Sequence, residues 1–440
     1  MPECGSQVVL CDLPVRFDTY RGCGHGCTYC FARKKRSDPS AVRPGEGVKA
    51  LRDWIAGKRA TETNWCDWRM PLHWGGMSDP FQPAEVEHRR SLACLEIFAD
   101  SGYPVVISTK GTLLGTAAYR DRLKACDAAV QVSMVSPRLN AQEPGAPPFA
   151  KRLRLLERLS SCVKRLIVRC QPFMPRLLAD VLRYLPRYGA AGVHGVTVEG
   201  LKCSRATAGM VRLGTDHVYP ADVLRRDFAE IRDGCHALGL KFYGAENRFR
   251  LMGDSTCCCG VDDLPGFRVN HANLNRTAAG LPIRYTKRMR EVGTAGAFKA
   301  LCQDAVSTPA LRGMSYAECM NIVAGVPVYR RIMGFDGAAP VRGRAGKAAP
   351  RAIGVSQPAG RGQRRGEYGR GARSAKFVAG GRPSGTRASL PKAGDKVAQP
   401  LGSPRGAMVR EAVRDAVRET IASAQTRPAE RHGGLCNVRL

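Results

Sequence analysis

Residues 20–33 read YRGCGHGCTYCFAR and bring three cysteines, Cys23, Cys27 and Cys30, into one short segment. Glycines interrupt the C-x3-C-x2-C spacing and let the loop fold back until three thiolates converge. Thiolates are soft ligands that suit iron–sulfur clusters, zinc or copper. A structural zinc site takes four ligands, and the tight loop would be strained to use His25 as the fourth. The spacing therefore favours a cluster with one iron that lacks a protein ligand, with zinc and three buried thiols as the alternatives.

The rest of the first 336 residues alternates short apolar runs with amphipathic helices. The candidate strands are centred on Leu72, Val106, Val130, Ile167, Val196 and Phe242. Their spacings are close to the roughly 30 residues of a β-α-β unit. One helix is predicted to have Pro83 in its first turn and to stop at Gly102. The pattern predicts an α/β fold with a parallel sheet, open or curled into a barrel, whose chemistry collects at the carboxyl ends of the strands.

Three segments together resemble a known family. The cysteine loop, with Tyr29 directly before the third cysteine, resembles the signature of the radical S-adenosylmethionine (SAM) superfamily. GGMSDPFQPAE (residues 75–85) and ISTKG (residues 107–111) resemble the spore photoproduct lyase-like subgroup, often labelled DNA repair photolyases on similarity alone. The similarity covers roughly residues 16–250. It implies a partial (β/α)6 TIM-type barrel, with a radical SAM core domain at residues 1–250.

The resemblance also implies cofactors. Cys23, Cys27 and Cys30 would ligate a 4Fe-4S cluster whose free iron binds SAM. One electron, delivered by an external donor of the flavodoxin or ferredoxin type, would cleave SAM to a 5′-deoxyadenosyl radical that abstracts hydrogen from the substrate. The cofactors supply this chemistry and the protein positions them. No catalytic side chain is assigned, and the substrate is unidentified.

In this family the backbone of a short Gly-rich segment contacts the amino group of the methionine part of SAM. The corresponding segment here follows the strand centred on Leu72. This segment is Gly75, Gly76 and Met77, and Met77 stands where many members of the family have an acidic residue. Ser78 or Asp79 is expected to substitute for that residue. Glycines at this place also suit a tight turn that leaves a strand.

Other SAM contacts are implied residue by residue. The backbone at Tyr29 would lie near the adenine, and Lys110 would pair with the methionine carboxylate. Ser133 and Arg169, which end the strands centred on Val130 and Ile167, occupy positions that contact ribose or carboxylate in the superfamily. Residues 195–200 (GVTVEG) resemble the sixth-strand segment that packs near adenine. An exposed loop lysine and ordinary polar groups at strand ends are the alternatives.

Three further polar residues are candidates for a pocket near the strands. His73 adjoins the strand centred on Leu72, and His194 and Glu199 adjoin the strand centred on Val196. Local hydrogen bonding is the alternative for each of them. The sequence contains no phosphate-binding Walker loop, no H-E-x-x-H motif and no serine-nucleophile elbow.

A second cysteine cluster comprises Cys257, Cys258 and Cys259. Side chains of adjacent residues diverge, so the three sulfurs do not easily reach one metal. A structural role, a hydrogen-donor thiol, and a second metal site with Cys203 or Cys235 stay open. Spore photoproduct lyase relies on a hydrogen-donating cysteine, and that residue maps onto no motif here, so its reaction is unsupported.

The C-terminal part differs in composition from the rest. Residues 251–336 are predicted to form a cysteine-containing, helical extension. Residues 337–440 hold 21 Lys and Arg against 6 Asp and Glu, a net +15, with Tyr368 and Phe377 as the only aromatics. This basic, Gly/Arg/Pro-rich tail is predicted to be disordered, apart from one short helix near its end. Within it, GRGQRRGEYGRGAR (residues 360–373) resembles an arginine–glycine nucleic-acid-binding segment.

The charge of the whole chain suggests partners. Its 440 residues carry a net charge of +31, which attracts nucleic acid; a solubilising tail is the alternative. No secretory signal and no run of about 18 apolar residues is apparent, so a cytoplasmic location without a membrane partner is expected. A non-enzymatic nucleic-acid-binding protein with a structural zinc or iron–sulfur site is the alternative to a radical SAM enzyme.

Overall fold

The computed structural model describes most of the first 270 residues of the chain. The described residues are 1–4, 11–32, 38–60, 63, 66, 68–205, 207–213 and 216–270. All of them belong to one unit, inside which the predicted boundary at residue 250 falls. The predicted extension at 251–336 is described only as far as residue 270. The predicted disordered tail at 337–440, with its short helix, lies outside the described residues.

Strands and helices alternate along the described chain. The strands are β1 (Glu3–Cys4), β2 (Val15–Phe17), β3 (Tyr20–Arg21), β4 (Arg43–Pro44), β5 (Leu72–Trp74), β6 (Val105–Thr109), β7 (Ala128–Ser133), β8 (Arg165–Phe173), β9 (Gly195–Gly200), β10 (Val211–Leu213), β11 (Asp216–Val218) and β12 (Lys241–Gly244). The helices are α1 (Gly47–Ile55), α2 (Glu85–His88), α3 (Arg90–Ser101), α4 (Ala117–Lys124), α5 (Phe149–Leu159), α6 (Leu178–Ala190) and α7 (Ala221–Ala237).

The main sheet has the strand order β1-β2-β5-β6-β7-β8-β9-β12. Strand β1 pairs antiparallel with β2, and the other seven strands run parallel. Neighbouring parallel strands must be joined by crossover connections. Helix α1 lies in the connection from β2 to β5, and α3 to α7 lie in the other five. The predicted α/β fold is confirmed, and the single run of parallel strands agrees with a partial barrel of the TIM type.

All six predicted strand centres lie in strands of this sheet, namely β5, β6, β7, β8, β9 and β12. Strand β2 is a parallel strand that has no predicted centre. Its three residues, Val15–Phe17, are too short to show an apolar run, and its pairing with β5 places it in the sheet. The sheet therefore has seven parallel strands, where the (β/α)6 prediction has six.

The helix predicted to run from Pro83 to Gly102 is interrupted. It forms as α2 and α3, joined at Arg89 in the left-handed conformation with φ 48°. The side chain of Glu85 is fully buried and accepts hydrogen bonds from the backbone of Ser91 at 2.8 Å and Leu92 at 2.9 Å. A carboxylate at the first turn stabilises the start of α3. Gly102 ends α3 as predicted.

The two faces of the sheet pack differently. The face toward the helices carries the main apolar core, which includes Phe17, Trp74, Val130, Val168 and Val198. Side chains alternate between the faces of a strand, so the residues between these point to the inner face. The inner face has its own smaller apolar cluster, formed by Leu13, Val106, Ala129, Cys257, Cys259, Val261, Phe267 and Val269. The described end of the chain therefore packs against the inner face of the sheet.

In the described ranges up to residue 270, no helix combines the length and the apolar composition that crossing a bilayer requires.

Candidate functional site

The loop that carries the three predicted metal ligands lies between β3 and β4, and it is called the cysteine loop below. Cys27 is buried, whereas Cys23 and Cys30 are partly exposed. Two tight turns shape the loop, with Gly26 N donating to Cys23 O and Cys30 N donating to Cys27 O, both at 3.2 Å. The three cysteines of the prediction are therefore brought into one compact loop.

One side of the cysteine loop is tied to the ends of β5 and β6 through Asp79. His25 Nε2 lies 3.1 Å from Asp79 Oδ2. Asp79 also accepts hydrogen bonds from Thr109 Oγ1 at 2.7 Å and from the Lys110 backbone N at 2.6 Å. Burial alone would raise the pKa of Asp79, but the charge of His25 and these hydrogen bonds lower it to about 2. His25 thus orients the loop, and the Asp79 oxygens already have partners within the protein.

The other side of the loop is held by the segment that follows β7. Tyr29 donates its hydroxyl hydrogen to Glu143, which is 4% exposed and forms an ion pair with the buried Arg152. Arg152 donates in turn to the carbonyl of Ser133 at 2.7 Å, at the end of β7. A Cβ at Gly145 would lie 2.0 Å from the Gly24 carbonyl, so only glycine permits this approach. These contacts position the loop over the carboxyl ends of β6 and β7.

The predicted Gly-rich segment follows β5 directly. Gly75 has φ 92°, and a Cβ there would lie 2.3 Å from the Ser108 carbonyl, so the tight turn requires glycine. Asp18, just after β2, accepts hydrogen bonds from the backbone of Met77 at 3.2 Å and Ser78 at 3.1 Å. Ser78 Oγ donates to Gly22 O at 2.5 Å. The segment therefore lies between the end of β2 and the start of the cysteine loop.

Lys110 lies beside the cysteine loop. The predicted pairing of this lysine with the methionine carboxylate of SAM requires such a position. Its Nζ is 5.8 Å from the centre of the Tyr29 ring. Burial raises the pKa of the Cys27 thiol, and the positive charge of Lys110 partly counteracts that rise. Its role toward SAM stays a prediction.

Hydrogen bonds join polar side chains across the inner face of five strands. His73 Nε2 lies 2.9 Å from Ser108 Oγ, Ser108 Oγ donates to Gln131 Oε1 at 3.0 Å, and Arg169 Nη1 donates to the same oxygen at 3.4 Å. Arg169 Nη2 lies 2.9 Å from Glu199 Oε2. His73, Arg169 and Glu199 of the prediction therefore belong to one network, and Arg169 has an anionic partner inside the protein.

His194 lies elsewhere. It directly precedes β9, at the amino end of the strand, where its Nε2 is 3.1 Å from Tyr243 Oη. Glu199 stands near the carboxyl end of the same strand. Five residues of extended strand separate the two by roughly 16 Å, so His194 and Glu199 do not line one pocket.

The second cysteine cluster is buried against the inner face. Cys257 and Cys259 pack with Val106 and Ala129, and the Cys258 carbonyl accepts a hydrogen bond from Thr197 Oγ1 at 2.9 Å. Cys235 belongs to the core on the opposite face of the sheet, so it does not meet them. The alternative of a shared metal site with Cys235 is therefore excluded, because the sheet lies between the two sites.

Two observations bear on whether a cluster fits the cysteine loop. Burial and the nearby Asp79 raise the pKa of Cys23 to about 12, so metal binding must displace a thiol proton. Within the described part of the chain, no group of three or more His, Cys, Asp or Glu side chains is arranged so that it could hold a metal ion. The donor chemistry of the loop fits a cluster, and the thiols must reorient to bind it.

Several residues of this site carry no prediction from the sequence. Glu143, Arg152, Gln131 and Asp18 are single polar residues in chain segments without a motif. The four residues share one feature in the sequence, a charged or amide side chain within or next to an apolar segment. That feature is common in any sequence, so it could not have identified them as site residues. Their contacts reach across as many as 114 residues, so they appear only in the folded chain.

The comparisons with known proteins give limited similarity, and no family model matches the chain. Uncharacterized proteins from Mycobacterium bovis and Mycobacterium tuberculosis are 30% identical over 231 residues. That match covers 48% of this chain and 66% of each relative, so the chain spans just under two thirds of their length.

Solved structures give a second comparison. A mutant spore photoproduct lyase with bound AdoMet and dinucleoside spore photoproduct aligns with a TM-score of 0.41 and 14% identity, over 53% of this chain and 76% of that one. Streptococcus suis SuiB aligns with a TM-score of 0.37 and 13% identity, over 54% and 52%. The subgroup named on sequence grounds is thus met again among solved structures, at a similarity too low to carry an argument about function.

Proposed function

We propose that the protein is a radical SAM enzyme whose cluster is held by Cys23, Cys27 and Cys30. The observation that carries the proposal is the position of the cysteine loop, held over the carboxyl ends of the parallel strands by the segments after β5 and β7. Ligand sites of parallel α/β folds lie at that end. When bound, the cluster and SAM supply a reductive cleavage that generates a 5′-deoxyadenosyl radical, which abstracts hydrogen from the substrate.

The residues of the chain have separate tasks in this proposal. Lys110 supplies a positive charge beside Cys27, where a methionine carboxylate would be attracted. The turn at Gly75 and Gly76 brings backbone close to the cysteine loop, and Asp18 orients it through two backbone hydrogen bonds. The Tyr29–Glu143 contact fixes the loop against β7. The part of the inner face next to the loop would then face the substrate, while the segment that contains Cys257 and Cys259 covers another part.

Anaerobic reconstitution with iron and sulfide tests the function. We expect a brown protein that converts SAM to 5′-deoxyadenosine on reduction. Cys27→Ala should lose the colour and lower deoxyadenosine formation at least 100-fold, because one cluster ligand is missing. The matched control, Cys162→Ala, removes a buried thiol at the end of α5 and should keep both properties.

Two results would contradict the proposal. One is a Cys27→Ala protein that stays brown and active. The other is a colourless wild-type protein that binds one zinc per chain and forms no deoxyadenosine, which would favour the non-enzymatic nucleic-acid-binding alternative.

The finer proposal concerns partners. The +31 charge of the chain and its resemblance to the photolyase-like subgroup support a nucleic-acid substrate, a lyase reaction and a cytoplasmic enzyme served by a flavodoxin- or ferredoxin-type donor. Deleting residues 337–440 removes a net +15 and should weaken DNA binding and flatten its dependence on salt. Binding measured by fluorescence anisotropy across a salt series checks this. Unchanged affinity and slope would exclude the tail as the binding element.

A further inference from the structure

The inner face contains a buried amide donor without an acceptor. Gln131 on β7 is fully buried, and its Oε1 accepts hydrogen bonds from Ser108 and Arg169. Because the Arg169 guanidinium can only donate, the amide oxygen must face it and the amide nitrogen must point elsewhere. Gln131 Nε2 is buried and has no hydrogen-bond partner. A buried donor left in this state is destabilising, and an acceptor on a ligand would satisfy it.

Arg16 on β2 is a second donor of this kind on the same face. Its Nε is buried and has no hydrogen-bond partner. Among the described residues, no ion pair or hydrogen bond occupies its guanidinium. Its stem passes Gly76 so closely that a Cβ there would lie 3.0 Å from Arg16 Cδ. An arginine held in place without an anion is pre-organised to bind one.

The charges around Arg16 do not neutralise it. Glu199 is already shared by Arg169 at 2.9 Å and Lys202 at 3.2 Å. Burial, together with the charges of Arg16 and Arg169, lowers the pKa of His73 to about 3, so its imidazole is neutral. On the same face, Asp18 Oδ1 accepts two hydrogen bonds from backbone amides. Among these groups, Arg16, Arg169 and Lys202 are three cations. The two carboxylates are Glu199, which two of the cations already share, and Asp18, whose Oδ1 is held by backbone amides. The remaining excess of positive charge favours a negatively charged ligand.

We propose that Arg16 binds an oxyanion of the substrate, a carboxylate or a phosphate group, while the Gln131 amide donates to a second acceptor on the same molecule. This assignment rests on the proposed function and names the chemical class of its substrate. SAM carries a carboxylate too, but Lys110 beside Cys27 is the cation placed for it at the cysteine loop. Arg16 lies two residues before Asp18, and its side chain passes Gly76. Its charge acts on the thiol of Cys11, a residue near the start of the chain that also interacts with Cys258.

The test uses the full-length, reconstituted protein with inorganic phosphate as the probe, at constant ionic strength. Phosphate should raise the thermal unfolding midpoint of the wild type in a saturable way. Arg16→Gln should need at least tenfold more phosphate for the same shift. Arg122→Gln, which removes a mostly exposed arginine from α4, is the matched control and should titrate like the wild type. Equal titrations of wild type and Arg16→Gln, or no shift at all, would overturn the proposal.

A second variant keeps the test decisive if Arg16→Gln fails to fold. Gln131→Glu keeps the shape of the side chain and gives Arg169 a charged partner. It should fold and bind phosphate at least tenfold more weakly, because it replaces a donor with a negative charge. Unchanged phosphate binding by this folded variant would also overturn the proposal.

Competition identifies the source of the oxyanion. If phosphate still titrates at saturating SAM, the Arg16 site belongs to the substrate, as proposed. If SAM displaces phosphate but decarboxylated SAM does not, Arg16 binds the SAM carboxylate and the substrate assignment is wrong. Phosphate binding needs no SAM cleavage, so a protein that binds phosphate through Arg16 but forms no deoxyadenosine would overturn the proposed function alone.

Discussion

The three cysteines of the cysteine loop and two of the second cluster, Cys257 and Cys259, lie in opposite environments of one sheet. Cys23, Cys27 and Cys30 occupy a loop at the carboxyl ends of the strands, held by His25 and Tyr29 and lying beside Lys110. Cys257 and Cys259 lie on the inner face among Val106, Ala129 and other apolar side chains. A thiol among charged and polar groups can become a ligand, whereas a thiol in an apolar cluster acts as a small hydrophobic residue.

The largest effect is expected from breaking the contact that holds the first triplet in place. Glu143→Ala removes the partner of the buried Arg152 and the acceptor of Tyr29. Leaving a buried arginine unpaired should lower the free energy of unfolding by about 3–5 kcal/mol. Urea denaturation checks this. Iron content after reconstitution should fall as well, because the loop loses its anchor on β7; a variant with normal stability and iron content would contradict this role.

An intermediate effect is expected when pH changes the free energy of unfolding through His73, which belongs to the polar network on the inner face. Burial, Arg16 and Arg169 lower the pKa of His73 to about 3, below the 6.5 of an unfolded histidine. The unfolded chain therefore takes up a proton first, and stability is lost as pH falls from about 6.5 toward 3, by up to about 1.4 kcal/mol per pH unit.

Replacing His73 separates this contribution from the other titrating groups. His73→Gln should flatten the slope of unfolding free energy against pH in that window, measured by urea denaturation at each pH. The control, His194→Gln, changes a histidine at the amino end of β9 and should leave most of the slope in place. Equal flattening by both variants would show that the network is not the source.

The smallest effect is expected in the second triplet. Cys257→Ala deletes one buried sulfur from the apolar cluster and should lower the free energy of unfolding by roughly 1–2 kcal/mol. Cluster colour and deoxyadenosine formation should equal those of the wild type. Loss of colour in this variant would remove the distinction between the two triplets and indicate a second metal site.

The predictions from sequence succeeded where the signal is local. A strand buried on both faces is a short apolar run, so Val130 and Ile167 mark β7 and β8 without any tertiary information. Strand β2 has only three residues and no such run. The helix breaks at Arg89, where the Glu85 side chain accepts hydrogen bonds from the backbone at the start of α3. The apolar periodicity of the sequence continues through this break and therefore does not predict it.

Sequence by itself determined the class of fold and predicts the ligand chemistry of the cysteine loop, because apolar periodicity and the spacing of Cys23, Cys27 and Cys30 are local properties. Tertiary structure alone decided which polar groups meet. Arg16, Gln131 and Arg169 come from three strands, and only the parallel register turns them to one face. Arg16 Nε and Gln131 Nε2 lack acceptors within the described part of the protein. The pairing of the strands fixes the face to which each side chain points, and it does so whether or not a partner lies there.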